Sequence, residues 1–426
     1  MTTKHIDPNI PLLTGMLLAM DVYILVAHRD TLKKFRYNRI IEGAYVTLAA
    51  FSYVGYSFLV YNFNNNPINA DWVRNLFIGF FFAFIVFKII LVLFFLAEDS
   101  WRLMNASFKM VKKLISGPGH KVGFSSRRGF IRQTGLMVAS IPFTSMLYGI
   151  TKGKYDFRVR QVPLTLINLP KAFDGFRIAQ ISDIHAGSFD DIDAIRHGVE
   201  LVNQQKPDII LFTGDLVNFD AREIEPFIDE FKKLNPNIGV YSVLGNHDYG
   251  DYKKWDREED KLENRELLKS YHKKMNFHLL MNENISLEKA GEQISIVGVE
   301  NWGKVPFPQN GDIDKAVAGA EHVPFKILMS HDPYHWSQKV ITHPVHFDLT
   351  LAGHTHGMQF GVDIPGFKWS PAEYVYPQWA GLYEESKQLL YVNRGFGFIG
   401  FPGRVGIAPE ITVFELSSGK NAYDLA

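Results

Sequence analysis

Residues 76–97, "LFIGFFFAFIVFKIILVLFFLA", contain a single charged side chain, Lys88. In hydrocarbon a segment this apolar satisfies its backbone hydrogen bonds internally only as a helix, and about 20 residues are enough to cross a bilayer. Residues 10–28 and 40–63 meet the same test, although Asp21 lies inside the first and Glu42 near the end of the second. A fourth run, 135–150, is shorter and holds Pro142. The N-terminal region, 1–150, is therefore expected to carry three or four transmembrane helices. Asp21 has two readings, an intramembrane functional site or a polar group facing another helix or the interface, and Lys88, which can snorkel only partly from mid-span, reads either as snorkelling or as facing the bundle.

Loop charge sets orientation. The 29–39 loop carries Arg29, Lys33, Lys34, Arg36 and Arg39 against one aspartate. The 98–133 segment carries Arg102, Lys109, Lys112, Lys113, Lys121, Arg127, Arg128 and Arg132, while the loop at 64–75 is nearly neutral. Both basic loops are thus expected in the cytoplasm, which puts the N-terminus outside and, if 135–150 spans, the C-terminal region outside as well. "SSRRGFIRQTG" (125–135) reads either as a twin-arginine export signal placed internally or as a plain basic flank; both make the following apolar run the crossing segment. Lys152, Lys154, Arg158 and Arg160 just beyond it argue the other way and keep a cytoplasmic domain open.

From 151 to 426 the pattern changes. "FRIAQISDIH" (176–185), "DIILFTGDL" (208–216) and "GVYSVLGNHD" (239–248) are apolar strand runs with polar ends, separated by helical patterns at 191–206 and 223–234. This β-α-β-α-β order implies right-handed crossovers and a parallel inner sheet. A charged helical stretch, 256–274, reads as an excursion over the site. Strand-like pieces follow at 294–300, 326–332, 347–354, 389–395 and 410–416. The expected fold class is α/β: N-terminal transmembrane helices, then a two-sheet β-sandwich flanked by α-helices.

The strand ends carry Asp183, His185, Asp215, Asn246, His247, Asp248, His331, His354 and His356. Apart from His247 and Asp248, these are candidate metal ligands. Extended chain puts residues i and i+2 on one side, so Asp183 and His185 can grip one ion. Asp215, with two oxygens, can bridge two ions, and Asn246 offers a neutral oxygen. Glycines at 214, 245 and 353 permit close backbone approach. The chain has no cysteine, which excludes thiolate sites and thiol nucleophiles, and its formal net charge of zero gives no sign of a nucleic-acid partner.

"SDIH", "TGDL", "GNHD", "SHDP" and "GHTHG" resemble the five motif blocks of the calcineurin-like metallophosphoesterases, over about residues 157–416, and the whole chain resembles the transmembrane proteins with such a domain. The resemblance implies two metal sites: Asp183, His185, Asp215 and His356 at one, and Asp215, Asn246, His331 and His354 at the other. It implies two divalent ions (manganese, iron or zinc, with manganese favoured) and hydrolysis of phosphomonoesters or phosphodiesters by a metal-activated hydroxide. His247 would assist the leaving group and Asp248 would orient its ring. Met358 departs from the family, where a second glycine often follows the last histidine.

Between Phe360 and Phe401 lie Phe367, Trp369, Tyr374, Tyr376, Trp379, Phe396 and Phe398. They read either as loop packing or as an apolar lip for a lipid phosphoester, such as a nucleotide-sugar lipid of the UDP-2,3-diacylglucosamine kind. Arg394 and Arg404 are candidate substrate-binding residues, with surface ion pairs as the other reading. The expected partners are the lipid bilayer and a phosphoester substrate, with no nucleic acid. The expected location is a bacterial inner membrane with the catalytic domain on the extracytoplasmic side. The alternative function is a non-catalytic membrane receptor or scaffold with the same metal-binding fold.

Overall fold

The computed structural model describes residues 9–32, 38–65, 71–116 and 125–419. The basic residues Lys33, Lys34, Arg36 and Lys121 lie outside the described residues. The chain divides into two compact units, 1–60 with 76–148, and 61–75 with 149–426.

The first unit is built from four helices, α1 (Asn9–Leu32), α2 (Asn38–Asn65), α3 (Trp72–Ser116) and α4 (Ser125–Thr151). The stretches Arg39–Tyr61, Trp72–Val111 and Phe130–Thr151 are long and apolar enough to cross a membrane; the described apolar stretch of α1, Pro11–Ala27, is shorter. The fourth run is thus a long helix, with Pro142 inside it. α3 continues well past the expected end at 97. Its 45 residues rise about 68 Å, roughly twice the hydrocarbon thickness. Asp21 and Lys88 meet inside the unit. Asp21 accepts hydrogen bonds from Lys88 Nζ (2.8 Å), Tyr53 Oη (2.8 Å) and Tyr45 Oη (2.6 Å). Lys88 Nζ also stands 4.9 Å from the Phe84 ring centre. Of the two readings of Asp21, a polar group facing neighbouring helices is the one this geometry matches.

The second unit is a two-sheet sandwich. One sheet contains β1 (Arg158–Leu166), β2 (Phe176–Ile181), β3 (Ile209–Phe212), β4 (Gly239–Ser242), β5 (Phe277–Leu279) and β14 (Glu410–Ser418), in the order β1-β14-β2-β3-β4-β5. The other contains β6 (Glu283–Lys289), β7 (Glu292–Gly298), β8 (Lys326–Met329), β9 (Leu349–Ala352), β12 (Gly381–Glu385) and β13 (Gln388–Val392), in the order β12-β13-β9-β8-β7-β6. β2 to β5 run parallel, as the β-α-β reading requires; β14 enters antiparallel to β2 and parallel to β1. A separate ribbon pairs β10 (Val362–Ile364) with β11 (Phe367–Trp369).

Period-two alternation explains why these strands are buried on both faces. Ile178, Ile209 and Leu211 point into the core between the sheets, where they meet Ile294, Ile296, Ile327 and Leu349 of the second sheet. Their neighbours Ala179, Ile181, Ile210 and Phe212 point outward, under Ile195, Val199 and Val202 of helix α5 (Ile192–Gln204) and Leu268 of helix α6 (Glu258–Lys274). α5 starts where Asp191 caps it, accepting from the backbone N–H groups of Asp193 and Ala194. The expected helix at 223–234 is only a short, tight helical segment containing Pro226, because proline removes a backbone donor there.

Candidate metal centre

Five strand ends converge on one place. Asp183 and His185 follow β2, Asp215 follows β3, Asn246 follows β4, His331 follows β8, and His354 and His356 follow β9. Asp183, His185, Asp215, His354 and His356 all hold positive φ, between 51° and 70°. Such left-handed backbone costs roughly 1–3 kcal/mol per non-glycine residue and persists only where surrounding structure imposes it. Close approach of the loops is part of that imposition. A Cβ at Gly353 would stand 2.2 Å from Asp183 Oδ2, and one at Gly245 would stand 2.1 Å from Asp215 Oδ1.

The side chains fall into two groups whose donor atoms lie within 4.8 Å of one another: Asp183, His185 and His356, and Asp215, His331 and His354. In the first, His356 Nε2 is 3.0 Å from His185 Nε2 and 3.2 Å from Asp183 Oδ1. In the second, His331 Nε2 is 3.1 Å from both Asp215 Oδ2 and Asn246 Oδ1, and His354 Nδ1 is 2.8 Å from Asn246 Oδ1. Asp215 Oδ2 also lies 3.5 Å from His185 Nε2, which places this carboxylate between the groups. His331 Nδ1 donates to the Thr213 carbonyl at 2.7 Å, leaving Nε2 as the inward lone pair.

Electrostatics point to cations. Burial opposes charge on Asp183 and Asp215, yet the adjacent histidines outweigh it and hold both carboxyls well below the usual range. His331 is raised in return, its burial outweighed by Asp215 and Asp183. Burial pushes His185 and His354 down, so their ring nitrogens stay available as neutral donors. Two buried carboxylates ringed by imidazoles, with no thiolate, are a nitrogen–oxygen donor set suited to divalent metal ions. The residues present fit such a pair of ions.

His247 and Asp248 separate in function. Burial lowers the pKa of His247. Its ring Nδ1–H donates to the Asn218 carbonyl at 2.7 Å, and its backbone N–H donates to Asp215 Oδ1 at 2.8 Å. Nε2 is the ring atom left for a substrate. Asp248 does not orient that ring, contrary to expectation. It accepts backbone N–H groups from Gly245, Asp215, Leu216 and Val217, and so ties the β3 and β4 loops together. Burial and the Asp215 charge push its carboxyl up to about 7.

The two arginines are also placed differently from the expectation. Arg394 is buried and pairs with Glu410 at 2.6 Å and Asp363 at 3.1 Å. Arg404 is buried and donates to the Arg394 and Gly395 carbonyls and, at 3.2 Å, to His356 Nδ1. Of the two readings given to these arginines, the ion pairs of Arg394 match the second, except that the pairs are buried and not at the surface; Arg404 bonds backbone carbonyls and His356 instead of a carboxylate. Three contributors were not assigned to the site from the sequence. They are the Asn218 carbonyl, Tyr376 with its hydroxyl 2.7 Å from His354 Nε2, and Tyr252, which hydrogen bonds Asn246 and lies against the His247 ring. The aromatic segment supplied a signal for Tyr376; a backbone carbonyl has none.

Comparison with known proteins gives the family. Residues 8–154 match the family model "Probable Calcineurin-like phosphoesterase, transmembrane domain", and residues 176–358 match "Calcineurin-like phosphoesterase". An uncharacterized metallophosphoesterase of Bacillus subtilis, YkuE, is 32% identical over 59% of this chain and 82% of its own length. A transmembrane protein with metallophosphoesterase domain from Danio rerio is 29% identical over 67% of this chain, which spans 62% of that relative. The phosphodiesterase YaeI of Escherichia coli is 26% identical over 68% of this chain and 99% of its own length. The fold and the site define a metallophosphoesterase domain behind a helical membrane region. The chain belongs to the calcineurin-like phosphoesterases and is an integral membrane protein.

Proposed function

We propose that this chain is a membrane-anchored, dinuclear metal-dependent phosphoester hydrolase. The observation that carries the reading is the pair of buried donor groups sharing Asp215, with His247 Nε2 left free beside them. Asp183, His185, Asp215 and His356 would hold one divalent ion, and Asp215, Asn246, His331 and His354 the other. When bound, the two ions would supply an acidified water and neutralise phosphoryl oxygens. The protein's own part is positional. Asp215 sets the spacing of the two groups, Asp248 locks the loops that carry Asp215 and Asn246, and the Asn218 carbonyl, accepting from Nδ1–H, orients the His247 ring so that Nε2, once the ring has taken up a second proton as imidazolium, can pass that proton to the leaving alkoxide. Manganese is the ion we favour for activity in vitro.

The substrate we favour is a phosphoester carried by a lipid, including nucleotide-sugar lipids of the UDP-2,3-diacylglucosamine kind, on the extracytoplasmic face of a bacterial inner membrane. A relative named as a phosphodiesterase supports diester chemistry. Hydrolysis of bis-p-nitrophenyl phosphate by the full-length protein with added manganese tests the hydrolase reading; no turnover by protein that has bound both ions would favour a receptor or scaffold instead. A reporter fused after residue 156 tests the side of the membrane.

A further inference from the structure

The exposed apolar residues of the second unit include a cluster on one short piece of chain. Ile364 and Phe367 are 57% and 56% exposed and face each other across the β10–β11 ribbon. Pro365 and Gly366 make the turn between them, with Gly366 at φ 79° as a type II turn requires. The whole tip, Ile-Pro-Gly-Phe, lacks a charged or polar side chain. Tyr374 and Val375, also exposed, lie seven and eight residues beyond Phe367, after β11 and a short helical turn. An isolated two-stranded ribbon with three-residue strands is marginal in water, and an apolar tip makes it more so.

The root of this ribbon is tied by backbone hydrogen bonds to the end of α4. Val405 N donates to the Gln359 carbonyl at 2.7 Å, and Gly361 N donates to the Val405 carbonyl at 2.9 Å. The residue before Val405, Arg404, donates its backbone N–H to the carbonyl of Gly149, in the last turn of α4, at 3.3 Å. That helix is long and apolar enough to cross a bilayer up to Thr151. The ribbon is therefore anchored on the very turn where a membrane-spanning helix ends, and its strands extend only about 10 Å from that root. Trp369 and Tyr374, which suit a membrane–water boundary, both follow the apolar tip, with Trp369 Nε1 3.5 Å from Tyr374 Oη.

We propose that the β10–β11 ribbon is a bilayer-dipping element: Ile364, Phe367, Tyr374 and Val375 enter the lipid surface and present a membrane-resident phosphoester to the metal centre. The path is short in sequence at both ends. His356 lies just before the ribbon, and Tyr376, which touches His354, lies directly after Val375. A protein partner would need a separate recognition surface; the membrane is supplied by the chain itself. The presentation half of the inference rests on the proposed hydrolase function, whereas the insertion half does not.

The chain has no cysteine, so one introduced thiol labels uniquely. Full-length Phe367→Cys, and separately Ile364→Cys, would carry an environment-sensitive NBD label in vesicles of phosphatidylcholine and phosphatidylglycerol. Leu262→Cys, exposed on α6, is the control. Insertion predicts blue-shifted emission at both ribbon positions and quenching by nitroxide lipids several-fold stronger than at 262. Aqueous emission at both, equal to the control, overturns the proposal. For presentation, Ile364→Ser/Phe367→Ser should lower turnover of a diacyl phosphodiester embedded in those vesicles about tenfold relative to soluble bis-p-nitrophenyl phosphate. An unchanged ratio overturns presentation. If metal-loaded protein hydrolyses neither compound, the hydrolase reading fails, and the fluorescence alone still decides the ribbon.

Discussion

The chain buries charge in two places and treats it in opposite ways. In the helical unit Asp21 receives a lysine and two tyrosine hydroxyls, so the carboxylate is fully answered by side chains of its own unit. In the sandwich two imidazole nitrogens, of His185 and His356, face each other at 3.0 Å beside Asp183, and Asp215 stands between two histidines. The first cluster is complete as it stands. The second directs lone pairs and negative charge at common points, and it is held by five residues with left-handed backbone. A buried polar cluster that closes on itself tends to be structural; one whose lone pairs and negative charge converge is suited to holding cations.

The strongest way to break that contrast is Asp215→Asn. It keeps the shape but removes the charge shared by both groups, and it should cost several kcal/mol of transition-state stabilisation, a loss of about 10³-fold or more in turnover, together with bound metal. Metal content by mass spectrometry and turnover should fall together, and likewise for Asn246→Ala and His354→Ala. Full metal occupancy in all three would remove the ligand assignment. His247→Ala separates chemistry from binding: both ions should stay while turnover slows about 10²–10⁴-fold, most for esters with poor leaving groups. A rate independent of leaving group would take away the role given to Nε2.

The closed cluster makes the converse prediction. Lys88→Met leaves Asp21 buried without its cation and should destabilise the helical unit by about 3–5 kcal/mol, read as a lower melting temperature in detergent. Asp21→Asn/Lys88→Met should recover most of that loss, and the double variant should hydrolyse bis-p-nitrophenyl phosphate as the parent does. Loss of activity in a well-folded double variant would mean that Asp21 does more than hold helices.

What the sequence made legible follows from what side-chain letters can carry. Apolar runs betray helices in lipid, and alternation ending in Asp, His or Asn marks strands that deliver ligands to one sheet edge. Hence Asp183, His185, Asp215, Asn246, His331, His354 and His356 could be listed before their convergence was seen. Partners distant in the chain leave no such trace. Lys88 finds Asp21 across 67 residues, and β1 pairs with β14 from the opposite end of the domain. For Arg394 an ion pair was one of two readings, but its partner could not be named, because Glu410 sits at the start of a strand whose register the local pattern does not reveal. Backbone groups are silent altogether, so the Asn218 carbonyl on His247 and the four N–H groups on Asp248 went unread, and the task of orienting the His247 ring was given to Asp248.

The smallest expected effect concerns a histidine outside both clusters. His272 is buried against Phe212 and Phe277, bonds Ser242 Oγ at 3.0 Å, and has its pKa pushed down to about 3 by burial. In the unfolded chain it titrates near 6.5. Above that value neither state carries the proton and the fold loses nothing. As pH falls from about 6.5 toward 3 the unfolded chain binds a proton that the fold refuses, so stability declines by up to about 1.4 kcal/mol per pH unit. Melting temperature against pH should therefore slope downward below 6.5, and His272→Phe should flatten part of that slope while lowering the neutral-pH value slightly, since Ser242 loses its partner. His335, lowered to about 3 by burial and hydrogen bonded to Ser330, leaves a residual slope. Because His272 lies apart from the metal ligands, the change should be the same with and without added manganese. A manganese-dependent difference would tie the acid sensitivity to the open cluster instead of to the core.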